Sequence, residues 1–342
     1  MTAAPVTILG CGMMTGVGLS APASCAAIRA RLDNFQETRF VSLGGDWIIG
    51  SEVPLPEPWR GTEKLARLLE GPLRECLDLV PTVHPRDIPL ILCVAEEERP
   101  GRLDGLDDRL LARTCELLGA AFHADSRLVR YGQVGGAVAL LQASRLIAER
   151  GHGHVIVAGV DSYLVAATLR AYDERERLLT GENSNGFIPG EAGAAVLIGP
   201  ADGGEGLTCR GLGFATERAT IGSDEPLRGD GMVEAFTAAL AQAGLRMGEI
   251  GYRIADISGE QYGFKEAELA TSRLLRDWHE FQDLWHPADA VGHTGAAAVP
   301  VMLGVVLTAA HKRYAAGDPV LALSSHDNGQ RAAMVLTAEG PA

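Results

Sequence analysis

The chain has 342 residues, with 30 Lys and Arg against 44 Asp and Glu, a formal net charge of −14. Hydrophobic residues at 46% and charged residues at 22% exclude a disordered chain, and the length calls for two lobes or one large α/β body. The acidic excess, with no run of Lys or Arg, argues against nucleic acid or an anionic membrane surface as a partner.

The first predicted element is a buried strand over Val6-Thr-Ile-Leu-Gly, followed by a glycine-rich turn over residues 10–18. A helix over 20–31 starts at Ser20, a good cap before Ala-Pro. A short strand pair is expected within 39–53, around Trp47, Ile48 and Ile49. Pro54, Pro56 and Pro58 then interrupt regular structure. Leu65, Leu68, Leu69, Leu73 and Leu77 lie on one face of a helix over 64–79. A strand over 88–95 is followed by Glu96-Glu-Glu98, which with Asp104, Asp107 and Asp108 reads as a solvated acidic edge. Next come a helix over 106–121, a short extended segment over 128–131, a helix over 135–150 and core strands over 155–159 and 193–198.

After Pro200-Ala-Asp-Gly-Gly-Glu-Gly206 the order starts again. The elements are a strand over 207–216, a helix over 231–243, a strand over 253–258, a helix over 264–281, a small-residue helix from Thr294 and strands over 319–324 and 331–337. Strands alternating with helices argue for mixed, largely parallel sheets covered by helices. The expected units are 1–203 and 204–342.

Cys11, Cys25, Cys76, Cys93, Cys115 and Cys209 are scattered without a Cys-x-x-Cys pair, so they read as buried small hydrophobes in a reducing compartment. Met1-Thr-Ala-Ala-Pro5 lacks the basic and apolar regions of a signal peptide, and no segment reaches the ~20 apolar residues of a membrane span. A cytoplasmic location is the expectation.

Gly10, Gly12, Gly16 and Gly18 partly match a dinucleotide-binding turn, in which glycines admit a pyrophosphate to a helix N-terminus. Residues 39–53 offer no clean acidic partner for a ribose, and a Tyr-x-x-x-Lys pair is missing. No cofactor is expected. His152-x-His154 sits in a turn without a nearby third ligand in sequence, so no metal is expected either.

Two later stretches are more specific. Val157-Ala-Gly-Val-Asp161, followed by Asn185-Gly-Phe-Ile-Pro-Gly-Glu-Ala-Gly-Ala-Ala-Val-Leu-Ile198, resembles a β-ketoacyl synthase strand end and its Asp-Gly-Phe-x-x-Gly-Glu-Gly-Ala motif. Val291-Gly-His-Thr-Gly-Ala-Ala-Ala298 resembles the second histidine motif of the same enzymes, and residues 6–18 resemble their first strand and turn. The resemblance implies the α/β thiolase fold: two similar lobes, each with a five-stranded mixed sheet, stacked in α-β-α-β-α layers.

The implied active-site positions depart from the family. Its catalysis needs a cysteine at a helix N-terminus, an oxyanion hole and two histidines. Ungapped counting places the nucleophile at Val134; a one-residue gap places it at Gln133, as in chain-length factors and loading decarboxylases. Gln133 as a plain helix cap is an equal alternative. The first histidine motif is replaced by Ser258-Gly-Glu-Gln-Tyr262, the family lysine falls on Ala288, and the C-terminal Gly-Phe-Gly-Gly loop becomes His326-Asp-Asn-Gly329. Only His293 remains of the catalytic set, and a structural hydrogen-bonding role suits it better than a catalytic one. The implied pocket positions are Gln133, Val134, Ser258, Gly259, His293, Thr294, His326 and Asp327.

Ser325-His326-Asp327 has the residue types of a hydrolytic triad, but adjacent residues cannot face one another in a relay. His279, His286 and His293 recur every seven residues, yet Pro287 and Gly292 break any helix that would align them. The expectation is a shortened, non-catalytic partner, scaffold or adaptor, with an acyltransferase using His293 as the alternative. Partners implied are a second copy or a synthase-like subunit paired through residues 128–131, and an acyl carrier protein or other biosynthetic or secretion component.

Overall fold

The computed structural model describes residues 4–276 and 282–339. Its first half runs β1 (Val6–Thr15), α1 (Ala21–Arg29), β2 (Gln36–Val41), β3 (Trp47–Gly50), α2 (Gly61–Asp78), β4 (Leu90–Cys93), α3 (Leu106–Leu118), β5 (Arg127–Val129), α4 (Gly135–Arg150), β6 (Val155–Ser162), α5 (Ala166–Asp173) and β7 (Glu191–Pro200). The second half runs β8 (Gly206–Thr216), α6 (Asp230–Ala243), β9 (Tyr252–Ala255), α7 (Gln261–Leu274), β10 (Leu284–Trp285), α8 (Ala288–Val291), α9 (Ala298–His311), β11 (Val320–Ser325) and β12 (Gln330–Glu339).

The two halves repeat one sheet plan. In the first, β1 and β7 are antiparallel, β7 and β6 antiparallel, and β6, β4 and β5 parallel. In the second, β8 and β12 are antiparallel, β12 and β11 antiparallel, and β11, β9 and β10 parallel. The two five-stranded plans are joined edge to edge, where Val6, Thr7 and Ile8 pair with Cys209, Thr208 and Leu207, giving one ten-stranded sheet. The Thr7 and Thr208 hydroxyls meet at 3.0 Å across this seam.

The layers follow from where apolar surface is placed. Residues of α2 and α3 form a core against β4, β6 and β7, while α6 and α7 cover β11 and β12. Between the half-sheets lie α4 and α9, whose core residues join those of both halves in one cluster. Helix α9 is buried almost all round from Ala298 to Leu307, the pattern of a helix that meets protein on every side. Strands β6 and β7 are likewise continuous apolar runs, buried on both faces.

The expected glycine turn after the first strand is instead strand: β1 continues through Gly10 and Gly12 to Thr15. The reason is close packing, since a Cβ on Gly12 would lie 2.1 Å from the Pro72 carbonyl oxygen of α2. No phosphate-binding turn exists at residues 10–12. Helix α7 starts at Gln261 and ends at Leu274, and residues 277–281 of its expected extent lie outside the described residues.

Candidate functional site

Asp256, Ile257 and Ser258, which follow β9, and Ser325, His326 and Asp327, at the end of β11, line one cavity of about 50 Å³. Gln133 from the tight turn before α4 and His293 from the loop before α9 also line it, with Arg177, Glu260 and Arg331 among the rest of its wall. The two turns are structural counterparts: each opens on a left-handed glycine, Gly132 at φ +49° and Gly295 at φ +51°. At Gly132 a Cβ would also lie 2.5 Å from Glu96 Oε2 and 2.9 Å from the His326 ring, so only glycine fits.

His293 is held at its backbone by Ile188 and Gly190, its N–H donating to the Ile188 carbonyl at 2.8 Å. Its ring packs against Tyr163 and Phe187, with centroids at 4.5 and 4.9 Å. Burial, aided by Arg99, pushes its pKa down to about 3, so the ring is neutral at ordinary pH. Gln133 Nε2 lies 3.2 Å from His293 Nε2, the geometry of an amide N–H donating to the unprotonated ring nitrogen. Gln133 Oε1 is buried and has no hydrogen-bond partner among the described residues.

A second histidine reaches the site from the loop after β11. His326 Nδ1 accepts the Asn328 amide at 3.1 Å, and Nε2 lies 3.5 Å from Glu96 Oε2. Burial opposes the imidazolium, but Glu96 outweighs it and raises the His326 pKa. Burial also works against the Glu96 carboxylate, while His326 and Arg99 hold its pKa well below the usual range. Glu96 is thus a buried member of the site and not part of a solvated edge, because Arg99 bonds both its oxygens at 2.6 and 2.8 Å.

Arg99 extends this network. It reaches Asp161 Oδ2 at 3.2 Å and lies 4.0 Å above the Tyr163 ring. Asp161 Oδ2 in turn accepts the Ala296 amide at 3.0 Å, tying the end of β6 to the turn after His293. Arg177 grips both Glu260 and Asp327, with Nη1 to Asp327 Oδ2 at 2.9 Å. Asp256 accepts the Ser325 amide at 3.0 Å, and burial pushes its pKa up to about 7.

The sequence-derived positions fall into two groups. Gln133, Ser258, His293, His326 and Asp327 share the cavity. Val134 packs in the core, Gly259 lies at φ +115° behind the wall against the Gly186 carbonyl, and Thr294 borders a neighbouring crevice. No serine hydroxyl is hydrogen-bonded to His293 or His326 among the described residues, and Asp327 is committed to Arg177, so Ser325-His326-Asp327 forms no relay. His286 pairs with Asp289 at 2.8 Å, and His279 lies outside the described residues. Cysteine does not line this cavity, and burial raises the pKa of all six thiols.

Missed in the sequence were Glu96, Arg99, Asp161, Arg177 and Asp256. The available signal was position: Glu96, Asp161 and Asp256 all stand at the C-terminal ends of parallel strands, where α/β proteins gather polar ligands. Beyond Arg99 and Asp161 lies a larger cavity of about 260 Å³, walled by Leu65, Leu103, Leu106 and Leu164. Arg39 and Arg60 also line it, both exposed and without a carboxylate partner among the described residues.

Comparison with solved structures places this architecture. A chain of the ketosynthase in complex with its chain length factor from Xenorhabdus doucetiae superposes with a TM-score of 0.76 at 17% identity, covering 98% of both chains. The ishigamide ketosynthase/chain length factor gives 0.79 at 16% identity, covering 99% of this chain and 100% of that one. A β-ketoacyl synthase from Burkholderia phymatum gives 0.75 at 15% identity, covering 99% and 100%. The fold is that of the ketosynthases and chain length factors. No family model and no curated protein matches the sequence. Within the ketosynthase fold, the two half-sheets and the buried pair α4 and α9 are the frame that carries Gln133 and His293 to each other. The described helices include none long and apolar enough to cross a membrane.

Proposed function

We propose that this protein is a non-catalytic, chain-length-factor-like member of a ketosynthase-type assembly in polyketide or fatty-acid biosynthesis. The observation that carries the reading is Gln133 bonded to a neutral His293 in a cavity of about 50 Å³. A carboxamide forms no thioester, and the cavity beside it is much smaller than the one beyond Arg99. An acyl group or another ligand has room instead in the 260 Å³ cavity beyond Arg99.

The partner face we assign is the free edge of β5. That strand pairs with β4 on one side and stands at the end of the sheet, and Tyr131 beside it is 43% exposed. An uncovered edge is a template for another chain, and a second copy of this one is the simplest occupant. A synthase-like subunit with the same fold, working with an acyl carrier protein, is the heterologous counterpart.

A second reading, an acyltransferase that uses His293, is favoured by one observation. His326 restores a two-histidine cavity by way of a different loop. Turnover of malonyl and acyl thioesters, followed by release of CO₂ and free thiol, separates the two readings. The proposed role requires no release above the uncatalysed rate. Release that disappears in His293→Ala would instead establish the enzyme.

A further inference from the structure

The turn before β5 and the turn after α4 bring together residues that are distant in sequence. His123 donates its backbone N–H to the Ile88 carbonyl at 3.1 Å, and Ser126 of the same turn accepts the Leu90 amide at 2.9 Å. His152 follows the left-handed Gly151 that ends α4. Asp125 lies between the two histidines: its Oδ2 is 2.9 Å from His152 Nε2 and 3.7 Å from His123 Nδ1. The imidazole rings meet edge to face, with centroids 4.6 Å apart.

We propose that His123, Asp125 and His152 form a binding site for a divalent transition metal of the Zn²⁺ type. One ligand atom from each residue falls within 4.8 Å of the other two. A tetrahedral ion with bonds of about 2.0–2.1 Å spaces its ligands by roughly 3.3 Å, so the ligand atoms need draw together by at most about 1.5 Å. Two imidazoles and one carboxylate are a zinc donor set that leaves a fourth position for water, and all three groups are partly exposed. Mg²⁺ and Ca²⁺, which prefer all-oxygen sites, are poorly served.

The surroundings suit a ligand. Arg150 holds Asp125 Oδ1 at 2.6 Å and leaves Oδ2 facing the histidines, as an outer partner that orients a coordinating carboxylate does. Binding replaces the contact between His152 Nε2 and Asp125 with metal bonds, the neutral ring coordinating through Nε2 with its proton on Nδ1. His123 Nδ1 also accepts the Asp125 amide at 3.0 Å. If that nitrogen binds the ion, water reaches the amide past a ring whose side chain is 35% exposed. An ion here would clamp the approach to β5 onto the end of α4. The site is independent of the Gln133 cavity and of the functional reading above.

The test is calorimetric titration of the untagged, chelator-treated protein with ZnCl₂, with MgCl₂ as control, alongside Co²⁺ absorption. One equivalent of zinc is expected, with no heat from magnesium and a Co²⁺ spectrum typical of low coordination number. Affinity should fall at least tenfold in both His152→Ala and His123→Ala. Asp125→Asn, which keeps the shape, gives the same readout should a histidine variant fail to fold. Absence of saturable zinc binding by the unmodified protein, or binding unchanged in the folded variants, overturns the assignment.

Discussion

Gln133 and His293 meet across the two halves of the molecule, Nε2 to Nε2 at 3.2 Å, each delivered by a tight turn or loop ahead of one of the two buried central helices. The contact joins an amide that cannot act as a nucleophile to a histidine that stays neutral because of its burial. The consequences below follow from that pairing and from the charged network around it.

The first concerns acid stability. His293 has a pKa of about 3 when folded, against an ordinary value of 6.5, so the unfolded chain binds its proton first as pH falls. The contribution is fully present above pH 6.5 and is lost as pH drops toward 3, by about 1.4 kcal/mol per pH unit. Denaturant unfolding between pH 7 and 4 should therefore show a steeper loss for the unmodified protein than for His293→Gln. Parallel pH profiles would contradict the buried neutral ring.

Arg99 neutralises Glu96 and Asp161 where none of the three reaches much solvent. Removing only the cation strands two buried carboxylates, so Arg99→Met should cost about 3–5 kcal/mol. Chemical denaturation at neutral pH checks this. A loss under 1 kcal/mol would mean that solvent reaches the pair.

These two groups show where sequence was informative and where it was not. The alternation of strands and helices, the duplicated plan and the small-residue helix α9 were legible because burial leaves periodic traces. Gln133, His293, His326 and Asp327 were reachable through motif order. The Arg99 network was not, because Glu96 and Asp161 are 65 positions apart and acquire meaning only when β4 and β6 lie side by side. Glu96-Glu-Glu98 looks like a surface run, yet its first member turns inward. His152 likewise gained its neighbours His123 and Asp125 only through the fold. Helix α5, of eight residues, makes little more than two turns, too few for its period to stand out.

Gly159 is a sequence signal with a direct physical reason. A Cβ there would lie 2.3 Å from the Ala296 carbonyl oxygen, in the turn just after His293. Gly159→Ala should cost about 1–3 kcal/mol through overpacking and lower the melting temperature by several degrees. Calorimetry reads the effect, and an unchanged transition would show that the turn has room to move.

Assembly through β5 predicts a particle of about twice the 36.1 kDa chain mass in light scattering. Tyr131→Glu, which puts a charge on the exposed ring beside that edge, should shift the population to monomer with no change in secondary structure. A monomeric unmodified protein at micromolar concentration would rule out the homodimer and leave the edge for a heterologous subunit.

Intact-mass measurement after incubation with malonyl and long-chain acyl thioesters tests whether the protein is non-catalytic. With Gln133 facing His293 and all six thiols raised in pKa, the mass is expected to stay unchanged at saturating thioester. A stoichiometric acyl adduct on the unmodified chain would contradict the non-catalytic reading.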